Sequence, residues 1–182
     1  MKLAHLVICG MLASPFAIKN APKDPPATAR IGSPGEAGTP LVVSGTVYAA
    51  DGQTPAGGVM VYAYQTDAQG LYAPDGGVEK PRLHGWARTD ASGHYQFATI
   101  RPAPYPRRSI PAHIHFNAWG GGYPWQWLEE LQFADDPHMT AALREKSAAL
   151  GRFANVCAPE HGSDGTLRCT LDLKLQTTSN FK

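Results

Sequence analysis

Residues 41–64 read LVVSGTVYAADGQTPAGGVMVYAY. The first nine, LVVSGTVYA, and the last six, VMVYAY, are rich in Val, Thr and Tyr, side chains that fit a pleated, half-buried surface. Asp51-Gly52 supplies a turn between them, so a β-hairpin is the simplest expectation. The same grammar continues downstream. Residues 85–89 and 95–100 read as strands around the turn Asp90-Ala91-Ser92-Gly93. Residues 101–111 (RPAPYPRRSIP) hold four prolines and must form a loop, because proline cannot donate to a sheet ladder. Residues 112–118 (AHIHFNA) and 125–133 (WQWLEELQF) read as strands separated by Gly120-Gly121-Gly122.

Beyond them one helix is expected, with Asp136 as N-cap, Pro137 in the first turn, and Met139, Leu143 and Leu150 on one face before Gly151. Strands return at residues 153–156 and at 167–175 (LRCTLDLKL), where Leu167, Cys169, Leu171, Leu173 and Leu175 keep period two. The expectation is all-β: an antiparallel β-sandwich of about six to eight strands over residues 41–182, with one short helix after the core.

Upstream, residues 18–40 contain several prolines without sustained periodicity and read as an extended arm. Residues 3–13 (LAHLVICGMLA) form an apolar run after Lys2, too short to span a bilayer, which takes about 20 apolar residues. Residues 1–17 are expected to be a signal peptide with Ala17 as its last residue, which makes the protein exported, periplasmic or secreted. Cys9 lies inside that run. The other two cysteines, Cys157 and Cys169, flank a turn-forming stretch, and in an exported chain they are expected to pair on adjacent strands.

Composition narrows the function. The 182 residues carry 16 Lys+Arg against 15 Asp+Glu, a net charge of +1, with none of the basic excess that phosphate neutralisation requires. A nucleic-acid partner and a membrane span are not expected. With 43% hydrophobic residues the chain can bury a core.

The local chemical signal is PAHIHF, where His113 and His115 stand two apart on a strand. Alternate strand residues point to one face, roughly 6.6 Å apart along the strand, so two imidazoles can converge on one metal. The Pro-rich loop delivers Tyr105 just before this strand, and the irregular stretch GLYAPDGG presents Tyr72. Phenolate is a hard anionic donor suited to Fe(III). Two tyrosinates and a hydroxide balance three positive charges, and two neutral histidines complete the shell. An Fe(II) or Zn(II) site would instead recruit a carboxylate, and Glu130 is the candidate for a His113/His115/Glu130 triad.

The stretches SGTVYAADGQTPAGGVMVYAYQTDAQGLYAP, GWARTDASGHYQFATIRPAPYP, PAHIHF and LEELQFADD, in this order, resemble the catalytic core of intradiol ring-cleavage dioxygenases, in the pattern of their smaller, exported branch. The resemblance implies that Tyr72, Tyr105, His113 and His115 ligate Fe(III). It also implies a small aromatic diol and O2 as substrates, with the ring opened between its hydroxyls to a cis,cis-muconate-type diacid. By the same resemblance Tyr105 is the ligand that leaves the metal and takes up a substrate proton. Two positions depart from the family. Its Arg just before Pro-Ala-His is Ile110 here, so Arg107 or Arg108 is the candidate cation, with Arg108 taken as catalytic. Its Gln ahead of the strand-terminal Phe is Glu130, also taken as catalytic. Glu130 is expected on one face with Leu128 and Gln132, its carboxylate toward the metal cavity, where it would disfavour a carboxylated catechol. Trp119, Trp125 and Trp127 around Tyr123 are candidate pocket walls, while His84, His94, His138 and His161 are read as surface or capping residues. Two readings from other classes remain: the His/His/Glu Fe(II) enzyme, and a non-catalytic transthyretin-like or carbohydrate-binding sandwich.

Overall fold

The apolar alternation read from the sequence builds two sheets that bury their inner faces on one core. The computed structural model describes residues 16–74 and 80–180. The expected leader run, with Cys9, and residues 75–79 of the loop after Tyr72 lie outside them.

The first sheet is built from β1 (Thr28–Arg30), β2 (Pro40–Tyr48), β5 (His94–Ile100), β10 (Glu160–His161), β11 (Leu167–Thr170) and β12 (Leu173–Lys174). Its order is β1-β5-β2-β11-β10, with β12 also on β2. The second holds β3 (Met60–Gln65), β4 (Leu83–Arg88), β6 (His113–Gly120), β7 (Tyr123–Trp127), β8 (Leu131–Phe133) and β9 (Val156–Cys157), ordered β4-β3-β6-β8-β9 with β7 on β6. Leu41, Val43 and Val47 of β2 and Tyr95 and Phe97 of β5 meet Val61, Ala63, Ile114, Phe116, Leu131 and Phe133 of the second sheet in one buried cluster. Each large side chain so buried contributes roughly 1.5–3 kcal/mol.

The all-β expectation holds, and several finer expectations do not. The sheets are mixed rather than antiparallel: β1 runs parallel to β5, β11 and β12 run parallel to β2, and β9 runs parallel to β8. There are twelve strands among the described residues, several of only two or three residues, against six to eight expected. The β2–β3 hairpin does not form. Both sides of β2 are taken, by β5 and by β11 and β12, so the turn at Asp51-Gly52 carries the chain from one sheet to the other. The expected arm is extended, and its segment β1 extends the first sheet.

Two expected strands are interrupted. Residues 167–175 break between β11 and β12 because Leu171 is drawn out of register: its carbonyl accepts from Tyr95 Oη at 2.8 Å, and Asp172 Oδ1 accepts from Thr46 N at 3.0 Å. Gly45 makes room, since a Cβ there would collide with the Leu171 carbonyl. The alternation survives nonetheless, with Leu167, Cys169, Leu171, Leu173 and Leu175 all buried. Residues 125–133 break at 128–130 between β7 and β8, and residues 153–156 form the end of a 3-10 turn (Gly151–Phe153) and the start of β9.

The helix runs Ala141–Ala148 with Thr140 as N-cap, its hydroxyl accepting from Leu143 N. Asp136 is not the cap, because its carboxylate accepts from Ala112 N at 3.0 Å and His138 N at 2.8 Å. The buried residue of this helix is Ser147 rather than the expected apolar face. A further helical turn at residues 16–19 precedes the core. No helix among the described residues is long and apolar enough to cross a membrane.

Cys157 and Cys169 form a disulfide with Cα atoms 5.9 Å apart. The pairing is the expected one, but the strands are not neighbours in a sheet: β9 belongs to the second sheet and β11 to the first, so the bond staples the two layers.

Candidate metal centre

Strand β6 buries Ile114, Phe116 and Ala118 in the core, which turns His113, His115, Asn117 and Trp119 to the outer face by period two. On the neighbouring strand β3, Tyr62 and Tyr64 face the same way, Tyr64 opposite His115 and Tyr62 opposite Asn117. His113 and His115 are 5% and 6% exposed, and their Nε2 atoms approach to 3.1 Å.

Two loops bring phenols to this point. After β3 the chain turns at Asp67, whose carboxylate accepts from Gln69 N and Leu71 N, and the turn presents Tyr72. Thr66 Oγ1 donates to Ala103 O at 2.7 Å, and Ala103 N donates to Asp67 O at 3.0 Å. These bonds lash the Tyr72 loop to the Pro-rich loop that carries Tyr105. Gly70, at φ +80°, passes so close to the Pro104 carbonyl that no side chain fits between them. The result is a four-donor cluster. Tyr72 Oη lies 2.5 Å from Tyr105 Oη and 2.7 Å from His115 Nε2, and Tyr105 Oη lies 3.1 Å from His113 Nε2 and 3.5 Å from His115 Nε2. Donors bound to one transition metal at roughly 2 Å stand about 3 Å apart, so the donor set fits a metal ion held by Tyr72, Tyr105, His113 and His115. All four residues expected from the sequence meet.

A profile of the family described as Dioxygenase matches residues 12–177. The chain is 32% identical over 103 residues to catechol 1,2-dioxygenase 1 of Acinetobacter lwoffii, a match over 46% of this chain and 33% of that one. It is 32% identical over 116 residues to the protocatechuate 3,4-dioxygenase beta chain of Burkholderia cepacia, covering 55% and 47%. The chain thus spans less than half the length of these curated relatives. Among solved structures it resembles the dioxygenase domain of a dioxygenase carbohydrate-binding protein fusion from Streptomyces sp. SirexAA-E, with 28% identity, a TM-score of 0.62, and 87% and 92% of the two chains covered. The chain belongs to the intradiol ring-cleavage dioxygenase family. Members of this family use non-haem iron.

Within an intradiol dioxygenase, the placement of Glu130 is the informative departure. His113, His115 and Glu130 do group within ligand distance of one another, as the triad reading requires. But Glu130 Oε1 sits 2.8 Å from His115 Nδ1, on the ring edge away from the Nε2 atom that meets the phenols. A carboxylate engaged there backs the histidine instead of joining it on a metal. The expectation that Glu130 faces the substrate cavity is corrected in the same way: residues 128–130 lie outside regular strand, so strand parity does not set the direction of its side chain. Burial raises the carboxyl pKa, but the charge and hydrogen bond of His115 outweigh that and hold it down to about 2. Burial, followed by the neighbouring His115, pushes the His113 imidazole toward its neutral form.

Arg107 and Arg108 lie on an exposed turn after Tyr105, closed by Arg108 N donating to Tyr105 O at 3.2 Å. Neither guanidinium makes a hydrogen bond or ion pair among the described residues, so the geometry supplies no contact that marks Arg108 as catalytic. Trp119, Trp125 and Trp127 pack with Tyr62, Tyr64, Tyr72, Tyr105 and Trp86 in an aromatic cluster around the centre, whereas Tyr123 packs against the main core. His84 is half-buried: its ring bonds the Pro81 carbonyl and packs edge-on against Trp86 at 4.9 Å and Phe16 at 5.2 Å, and burial lowers its pKa.

Sequence reasoning missed three contributors. Tyr64 stacks on His115 with centroids 4.5 Å apart and planes at 16°, fixing that ring. Asp136 clamps the start of β6 through Ala112 N. Asn117 is fully buried, and among the described residues neither its amide atoms nor the neighbouring Tyr62 hydroxyl has a hydrogen-bond partner. The only sequence signal was the unbroken apolar run of β3, buried on both faces.

Proposed function

We propose that this protein is a non-haem Fe(III) dioxygenase that opens a catechol-type ring between its two hydroxyls with O2, giving a cis,cis-muconate-type diacid. The observation that carries this reading is the meeting of two phenol oxygens and two imidazole Nε2 atoms at one point, with the carboxylate held back at Nδ1. Two anionic oxygens and two neutral nitrogens suit a trivalent, hard cation better than Fe(II) or Zn(II). Ferric iron, when bound, would supply the Lewis acidity that lets a catechol bind as its electron-rich dianion and the electron-accepting character that activates that dianion toward O2.

The two tyrosines are held differently, and their roles follow. Tyr72 is 4% exposed, and its backbone carbonyl accepts from Arg82 N at 2.7 Å, so its phenolate is the permanent anchor. Tyr105 is half-buried on the proline loop beside the exposed turn. Its Oη is the proton acceptor for a catechol hydroxyl and the group that swings aside for substrate. His113 and His115 hold their ring planes through Pro111 O and Glu130. The Trp119–Trp125 pair, at 4.8 Å, offers an apolar aromatic wall for a planar substrate and excludes water. We further propose that the protein is exported and works in an oxidising compartment, a reading supported by the Cys157–Cys169 disulfide.

The test is turnover by the iron-loaded protein with catechol under oxygen. The reading expects one O2 consumed per catechol, a muconate product carrying both oxygen atoms from labelled O2, and loss of turnover in Tyr72→Phe. A yellow semialdehyde from cleavage beside the hydroxyls would favour the Fe(II) triad. Absence of oxygen uptake across catechols with hydroxyl, alkyl and carboxyl substituents would favour the non-catalytic sandwich.

A further inference from the structure

His113 and His115 offer the centre the same atom, Nε2, but their Nδ1 atoms meet different partners. Behind His113 stands the neutral carbonyl of Pro111, at 2.8 Å, and behind His115 stands the carboxylate of Glu130, also at 2.8 Å. A histidine whose far nitrogen donates to a carboxylate is fixed in one tautomer and is a more basic ligand than one that donates to a carbonyl. The carboxylate is itself held in place. Asn155 Nδ2 donates to the Glu130 carbonyl at 2.7 Å, and Ser147 Oγ accepts from Asn155 N and Val156 N, both at 2.9 Å. This explains why a helix that contributes no apolar face to the core buries Ser147: it positions the segment that positions Glu130. A cleft of about 690 Å3 opens on the far side, lined in part by Glu130, Lys146 and Asn155.

We propose that Glu130 is an anionic positioning residue that makes His115 the stronger nitrogen donor of the pair and biases the bound iron toward the ferric state. This inference rests on the Fe(III) reading above. The fixed negative charge sits behind one ligand, outside the metal's own shell, so it adds electron density through Nε2 without occupying a position that substrate needs. It makes reduction to Fe(II) harder, and it raises the energy needed to transfer an electron from a tyrosinate to the metal. A neutral amide at position 130 would keep the hydrogen bond and lose this effect.

The test uses the iron-loaded full chain. In Glu130→Gln the tyrosinate-to-iron absorption should move to longer wavelength and the iron midpoint potential should rise, with the iron content kept. Glu130→Ala should show the same shifts and weaken iron binding about 10–100-fold, the usual cost of removing a group that orients a ligand. Glu129→Gln, at an exposed neighbouring carboxylate, should change neither readout. An iron-loaded Glu130→Gln with unchanged band and potential overturns the proposal while leaving the Fe(III) reading standing. A wild-type protein that binds iron without any tyrosinate band overturns both.

Discussion

On β2 and β5 the residues that point away from the core are Ser44, Thr46, His94 and Gln96, all half-buried; on β3 and β6 they are Tyr62, Tyr64, His115 and Asn117, all buried. The inner faces of the two sheets are alike in character, and the outer faces are not. The second sheet has a roof: the Tyr72 and Tyr105 loops cross it, and Trp119, Trp125 and Trp127 rim it. Under that roof the local dielectric is low, so charges on the phenols and imidazoles brought together there would act strongly on one another. In this fold the candidate centre sits where period-two alternation fails because both faces of a strand are covered.

The contrast is broken most severely by exchanging one outer-face residue from each sheet. His115→Ala should abolish stoichiometric iron binding, whereas Gln96→Ala on the first sheet should leave iron content unchanged and stability within about 0.5 kcal/mol of wild type; metal analysis with chemical denaturation checks both. Next in size is the staple between the layers. The paired Cys157→Ser and Cys169→Ser protein closes no 12-residue separation and should lose about 3 kcal/mol in the denaturation midpoint analysis.

Smaller is the acid limb of the metal-free protein. The Glu130 pKa falls on folding from its ordinary 4.5 to about 2, so its contribution is fully present above pH 4.5 and disappears as pH drops toward 2. Glu130→Gln should flatten that window in a stability–pH series. The smallest effect concerns Arg107, which adopts φ +63°, a left-handed conformation that costs a side-chain-bearing residue roughly 1–2 kcal/mol. Set against the extra chain entropy of glycine, about 0.5–1 kcal/mol, Arg107→Gly should stabilise the fold by roughly 0.5–1 kcal/mol. An unchanged catechol turnover in that variant would show that the Arg107 guanidinium takes no part in the reaction.

What the sequence made legible was local. Inner-face alternation in β2, β5, β6 and β11 follows from residues two apart, and so does the convergence of His113 and His115. Tyr72 and Tyr105 were legible as phenols on loops near that strand and their joint ligand role came from the family resemblance, while the loop bonds between Thr66, Asp67 and Ala103 that make them meet join segments more than thirty residues apart. The same distance problem explains the failures. A turn such as Asp51-Gly52 says that the chain reverses, not whether the next strand joins the same sheet, and parallel partners such as β11 on β2 arrive 126 residues later. The direction of Glu130 depends on a strand break pinned by Asn155, and the hydrogen bond that makes Asp136 a clamp reaches back to Ala112. Neither leaves a periodic trace.

The proposed chemistry of the site rests on bound ferric iron. Iron content and the visible spectrum of the aerobically purified protein, compared with Tyr72→Phe, test it most directly. The predicted result is equimolar iron in a red to burgundy protein whose visible band is lost or strongly weakened in Tyr72→Phe. A colourless protein, or one that retains the full band without Tyr72, would contradict it.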